Sequence, residues 1–179
     1  MAVNYPYHYA AEALVAADPA RLFQHLDDPA HLSAHMSRSS MQTAGMRMKI
    51  EVDDARGQAL GSHIRLSGSL FGVEVFLDEI ITVRTPPSRK QWETIGTPQL
   101  LIVGHYRMGF EITPAASGSW LRVFIDYELP EGAITRWLGR WLGGYYARWC
   151  THQMLNDAVA HFAKRSVPED HATTERCAA

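Results

Sequence analysis

Cysteine is scarce: the 179-residue chain has two, Cys150 and Cys177. Cys150 falls in a helical pattern and Cys177 among the final residues, so a disulfide is not expected, and the reduced thiols point to a cytoplasmic setting. No stretch approaches the roughly 18 apolar residues needed to span a bilayer. The opening MAVNYPYHYAAEALVAADP lacks the basic start and long apolar run of a signal peptide. No stable membrane insertion is therefore expected. Neither sign of charge dominates, with Lys plus Arg 17 against Asp plus Glu 19 and a net charge of −2, and this argues against a nucleic-acid partner, which calls for a clustered basic surface. Catalytic signatures are also missing. There is no G-x-S-x-G elbow, no phosphate-cradling glycine loop and no dinucleotide fingerprint. His31 and His35 have a spacing that can hold a metal, but Leu32 stands where a zinc protease carries glutamate, and no further Cys or His cluster supplies ligands. Neither a metal nor a cofactor is expected.

What is present is an ordinary globular composition, 46% hydrophobic and 20% charged, enough for one sizeable core. The expected organisation is one domain over residues 1–165 and a flexible polar tail, SVPEDHATTERCAA, over 166–179. AAEALVAADPARLFQHLDDPAHLSAHM reads as a strand followed by two short helices, each opened by an Asp-Pro start signal at Asp18-Pro19 and Asp28-Pro29. From 44 to 129 the hydrophobic period becomes two, over about 44–52, 63–70, 73–84, 89–95, 100–113 and 119–129. The breaks are turn-rich segments such as DDARGQ, TPPS and PAASGS. This spacing predicts an antiparallel meander. A long helical pattern follows over 133–165, with Ile134, Leu138, Trp141, Tyr145, Trp149, Leu155, Val159 and Phe162 in one broad stripe and a kink or break expected at Gly143-Gly144. The fold class is α+β: a seven-stranded antiparallel sheet curved around a long C-terminal helix, with two short helices after the first strand. A curved sheet and a straight helix cannot touch everywhere, so an internal cavity is expected between them.

The segments AADPARLFQHLDD, LDEIITVRTPPSRKQWET, YRMGFEITP…GSWLRVFIDYELP and YYARWCTHQMLNDAVAHF resemble the START-like, helix-grip superfamily, also called SRPBCC or polyketide cyclase/dehydrase and lipid transport. The resemblance covers about residues 8–165. It implies a deep apolar cavity under the C-terminal helix, in a superfamily whose members bind lipids, polyketides, plant hormones and quinones, some acting as cyclases or oxygenase components. A fold of this kind licenses no particular activity.

Parity counting isolates the polar residues that face the cavity. Val73, Val75, Leu77, Ile81 and Val83 share a face with Glu79, which places this carboxylate on the helix side unless a bulge intervenes. A buried carboxylate without a partner costs several kcal/mol or takes up a proton, so a partner is expected. At about 100° per residue, Arg148 and His152 fall within the stripe of Ile134, Trp141 and Tyr145 and are the candidates. Pairing with either could be a structural link between helix and sheet or part of a ligand site. On the strands, Trp92 lies with Thr94 and Lys90, Tyr106 with Met108 and Phe110, and Tyr127 with Leu121, Val123 and Ile125. The expected ligand-binding set is Glu79, Trp92, Tyr106, Phe110, Tyr127, Arg148, Trp149 and His152, for any one of which plain core packing is the alternative. Cys150 falls off the apolar stripe. Trp137, Trp141 and Trp149 beside Arg136 and Arg140 could mark a membrane-surface helix. Continuation of the stripe to Phe162 favours burial in the core instead.

The leading expectation is a carrier or sensor for a small hydrophobic molecule such as a lipid, quinone, polyketide or aromatic compound. The alternative is a cyclase, aromatase or dehydratase using Glu79 or His152 as general acid or base, with Tyr106 or Arg148 stabilising an enolate oxygen. A third reading is a structural or partner-binding domain with a closed cavity.

Overall fold

In the computed structural model, residues 5–32, 47–70 and 73–163 are described. The period-two segments form β1 (Tyr7–Val15), β2 (Arg47–Val52), β3 (His63–Leu70), β4 (Val73–Thr85), β5 (Arg89–Gln99), β6 (Tyr106–Ala115) and β7 (Gly118–Tyr127). They make one seven-stranded sheet in the order β1-β7-β6-β5-β4-β3-β2, every pair antiparallel. The helices are α1 (Pro19–Leu26), α2 (Pro29–Leu32) and α3 (Ala133–Ala163). This is the expected helix-grip architecture. The expected tail at 166–179, residues 44–46 of the strand expected over 44–52, and His35 lie outside the described residues.

Local chemistry explains the boundaries. Asp18 caps α1 by accepting from the Arg21 N–H at 3.0 Å, with Pro19 at the first helical position. Leu22, Phe23 and Leu26 then turn into the core. Residues 100–105, expected to begin β6, are not strand. The β5–β6 ladder ends at the pair Glu93 and Arg107, while β5 itself continues to Gln99.

The parity of β4 holds: Val75, Leu77, Glu79 and Ile81 are all buried. Register shifts against β5 occur between Phe76 and Asp78 and between Ile81 and Val83. They flank Glu79 without turning it outward, and β4 still pairs Glu79 with Thr94 and Ile81 with Trp92.

The helix departs from expectation in two ways. It runs unbroken through Gly143-Gly144. Its buried residues are Gly139, Gly143, Ala147, Cys150, Thr151, Met154, Leu155, Ala158 and Phe162. Ile134, Trp137, Trp141 and Tyr145 are 83%, 62%, 74% and 71% exposed. The periodicity is real, but over the first three turns the large apolar residues lie on the outer face. The reason is steric. A Cβ on Gly139 would sit 2.7 Å from the Ile102 carbonyl oxygen, and one on Gly143 would sit 3.2 Å from the Tyr127 ring. Only a face of minimal side chains can come that close.

Candidate functional site

Three adjacent strands bring the polar residues together. Glu79 is on β4, Trp92 and Thr94 on β5, and Tyr106 opens β6. Where the β5–β6 ladder stops, the Thr94 hydroxyl takes its place. It accepts from the Tyr106 N–H at 2.9 Å and lies 3.3 Å from the Tyr106 carbonyl, to which it can donate. The backbone of Tyr106 is thus fixed beside β5, and its phenol reaches across to donate to Glu79 Oε1. The Trp92 indole N–H is the second hydrogen-bonding neighbour of that carboxyl group.

These groups sit at a cavity of about 100 Å³ between the sheet and α3. Its lining is mainly aliphatic, with Leu66, Leu77 and Ile125 from the strands, Leu32 from α2 and Met154 from α3. Tyr146 and Cys150 also face it from the helix, and Lys90 from β5. The Lys90 ammonium turns away to donate to the Asp27 carbonyl at 2.6 Å and carboxylate at 2.8 Å. Asp27 also takes a forked interaction from Arg84, with 2.7 Å to Nη2. Burial works against the Asp27 charge, but the hydrogen bonds from Arg84 and Lys90 outweigh it and hold the carboxyl below its usual range.

Glu79 has the opposite balance. Burial dominates over the hydrogen bonds from Tyr106 and Trp92 and pushes its pKa up to about 7. Burial, followed by the nearby Glu79 charge, raises Tyr106 well above the ordinary phenol value, so its hydroxyl keeps its proton and serves as donor. Tyr146 is raised in the same direction by burial. The Cys150 thiol is pushed up to about 12, chiefly by burial, so it is not a nucleophile at neutral pH. At neutral pH the site therefore holds a carboxyl close to half-protonation, at least two phenol donors and an apolar wall.

Of the eight residues singled out from the sequence, Glu79, Trp92 and Tyr106 meet at the cavity. The others are elsewhere. Phe110 is fully buried against α1, its ring edge-on to Phe23 at 5.6 Å. Tyr127 is buried with its ring stacked on Tyr7 at 5.2 Å. Trp149 is half-buried, 6.2 Å from the Tyr146 ring, and does not line the cavity. Arg148 and His152 are exposed, and neither approaches Glu79; His152 bonds the Tyr9 hydroxyl on β1 at 3.0 Å. Both follow the outer stripe of Ile134, Trp141 and Tyr145, so assigning that stripe to the wrong side of α3 misplaced them. The same error removed Cys150 from the cavity, where it belongs, and left Tyr146 and Met154 unnoticed. Their mutual spacing of four residues was the available signal. Lys90 was visible in the inward row of β5 as well.

No family model matches the sequence, and no curated protein does. Solved structures do match. The Zhui aromatase/cyclase of Streptomyces sp. R1128 superposes with a TM-score of 0.65 at 15% identity, covering 93% of this chain and 99% of that one. A norcoclaurine synthase point mutant of Thalictrum flavum, in complex with a transition-state analogue, gives 0.62 at 13%, covering 90% and 96%. The TTHA0849 protein of Thermus thermophilus gives 0.65 at 14%, covering 90% and 100%. At these identities the likeness is one of fold, and it bears out the START-like, helix-grip resemblance at that level. Among the described residues no helix is long and apolar enough to cross a membrane.

Proposed function

We propose that the chain binds a small, mainly apolar molecule, such as a lipid, quinone, polyketide or aromatic compound, in the cavity between sheet and helix. On this reading Glu79 and Tyr106 grip one oxygen of the ligand, and the protein serves as a carrier or sensor. The scarcity of cysteine suits work in the cytoplasm. The observation that carries this reading is the Glu79–Tyr106 pair inside a mainly apolar cavity. Volume alone does not carry it. At about 100 Å³ the space is smaller than the few hundred Å³ of ordinary ligand pockets. A packing void, however, has no use for a buried carboxyl with two hydrogen-bonding partners, because an apolar residue there costs less. The aromatase/cyclase and norcoclaurine synthase neighbours support the same general use of the fold.

One observation favours a second reading, an acid–base enzyme of the cyclase or dehydratase kind. A carboxyl with a pKa near 7 can both accept and return a proton at neutral pH. Glu79 would take the proton from a carbon next to a carbonyl, and Tyr106 would turn its hydrogen bond to the enolate oxygen. His152 has no part in this, since it lies outside the cavity.

Native mass spectrometry of freshly purified protein, comparing wild type with Glu79→Gln and Tyr106→Phe, tests the proposal. The expected result is a co-purified small molecule retained by the wild type and lost from both folded variants. Retention by both variants would move the site elsewhere. Absence of any bound molecule, together with a large stability loss in both variants, would make the pair structural. Turnover of an aromatic polyketone by the wild type and not by Glu79→Gln would select the enzyme.

A further inference from the structure

The first half of α3 is built inside out. Its inner face carries Gly139, Gly143 and Ala147, all buried. Its outer face carries Ile134, Trp137, Trp141 and Tyr145, each more than half exposed. These four recur at helical spacing, and the Trp137 and Trp141 rings lie 6.5 Å apart. The stripe is confined: continuing along the same face, Arg148, His152 and Asn156 are polar and exposed. Exposed single apolar residues are normal, whereas a contiguous aromatic stripe marks a contact surface.

Charge selects the partner. From Ala133 to Asn156 the helix carries three arginines, Arg136, Arg140 and Arg148, and no acidic residue. All three are exposed, and none of them forms an ion pair among the described residues; at about 100° per residue Arg148 falls on the aromatic stripe and Arg140 on its flank, whereas Arg136 falls on the side of Gly139 and Gly143. Tryptophan and arginine also anchor protein contacts, but a face whose only charges are positive fits a bilayer carrying anionic headgroups, where tryptophan and tyrosine settle at the headgroup level and arginine meets the phosphates. The apolar segment from Ile134 to Tyr145 is about 18 Å long, enough to lie in the interface and too short to cross it.

We propose that the outer face of α3 over Ile134–Arg148 docks the protein on anionic lipid surfaces, with Trp137 and Trp141 inserted at the headgroup boundary and Arg140 and Arg148 against lipid phosphates. The inference is independent of what the cavity binds.

Vesicle flotation of the full chain tests it, with vesicles of phosphatidylcholine alone and of phosphatidylcholine doped with phosphatidylglycerol. The wild type is expected to float with the doped vesicles, with a blue shift of tryptophan emission, and to be released by salt. Arg140→Glu/Arg148→Glu should weaken binding by roughly thirtyfold or more, from about fivefold for each basic residue near the surface. Trp137→Ser/Trp141→Ser should abolish flotation. Both variants change exposed residues only, and circular dichroism should show the native fold. Failure of the wild type to float with doped vesicles overturns the proposal, as does equal flotation of wild type and both variants. A concentration-dependent dimer that Trp137→Ser/Trp141→Ser dissociates, without vesicle binding, would instead assign the face to a second copy of the chain.

Discussion

Glu79 shows what one residue in an apolar row can reveal and what it conceals. Its five apolar companions on one face of β4 fixed its direction, and the structure buries it accordingly. Its partner was not legible, because partnership depends on where the β5–β6 ladder stops and on a Thr94 hydroxyl holding the Tyr106 backbone. With no cation beside it, desolvation decides, and its pKa rises from 4.5 to about 7. The folded protein therefore holds a proton on Glu79 that the unfolded chain has already lost between those values. The stability that protonated Glu79 contributes should be full below about pH 4.5, fall as pH rises towards 7, and level off above. The shift corresponds to about 3 kcal/mol across that window. Glu79→Gln removes the titration and mimics the protonated form. In urea denaturation it should match the wild type near pH 4 and exceed it by a few kcal/mol, about 3 at most, near pH 8. A constant difference across pH would mean that Glu79 titrates normally.

At the scale of elements, the sheet was legible and the orientation of the helix was not. Alternation in a strand tells inside from outside because the apolar face has only the core to cover it. A helix with a glycine face and an aromatic face offers two candidates, and hydrophobicity picked the wrong one for residues 134–145. Close approach decided the matter: Gly139 and Gly143 let α3 settle against Ile102 and Tyr127. Two glycine substitutions separate this account from mere helix propensity. Gly144 is exposed, with its nearest neighbour, the Tyr127 hydroxyl, 4.0 Å from a built Cβ. Gly144→Ala should therefore stabilise by roughly 0.5–1 kcal/mol. Gly139→Ala gains the same propensity, but its Cβ meets the Ile102 carbonyl oxygen at 2.7 Å and Pro130 at 3.0 Å. It should destabilise by about 1–2 kcal/mol net. Thermal unfolding of the two variants checks the opposite signs, and stabilisation by both would mean that the glycine face is not held tightly against the sheet.

At the scale of the whole molecule, one polar knot joins the start of the chain to the middle of the sheet beside the cavity. Asp27 at the end of α1 receives Lys90 from β5, 63 residues away, and Arg84 from β4. Lys90 has no exposure and lines the cavity, and α2, which follows directly, contributes Pro29 and Leu32 to the same wall. The knot therefore ties the α1–α2 corner beside the cavity. A buried ion pair adds little over well-packed apolar residues, but removing one partner leaves an uncompensated charge. Asp27→Ala leaves Lys90 only the backbone carbonyl of residue 27 as acceptor and should cost about 3–5 kcal/mol in urea unfolding. Asp27→Ala/Lys90→Met removes the stranded charge together with its partner and should recover much of that loss. Near-additivity of Asp27→Ala and Lys90→Met would show that the two do not act as a pair. Recovery in the double variant would show that the corner is fixed by charge compensation. The corner could then be loosened by one substitution and tightened again by a second, without touching Glu79 or Tyr106.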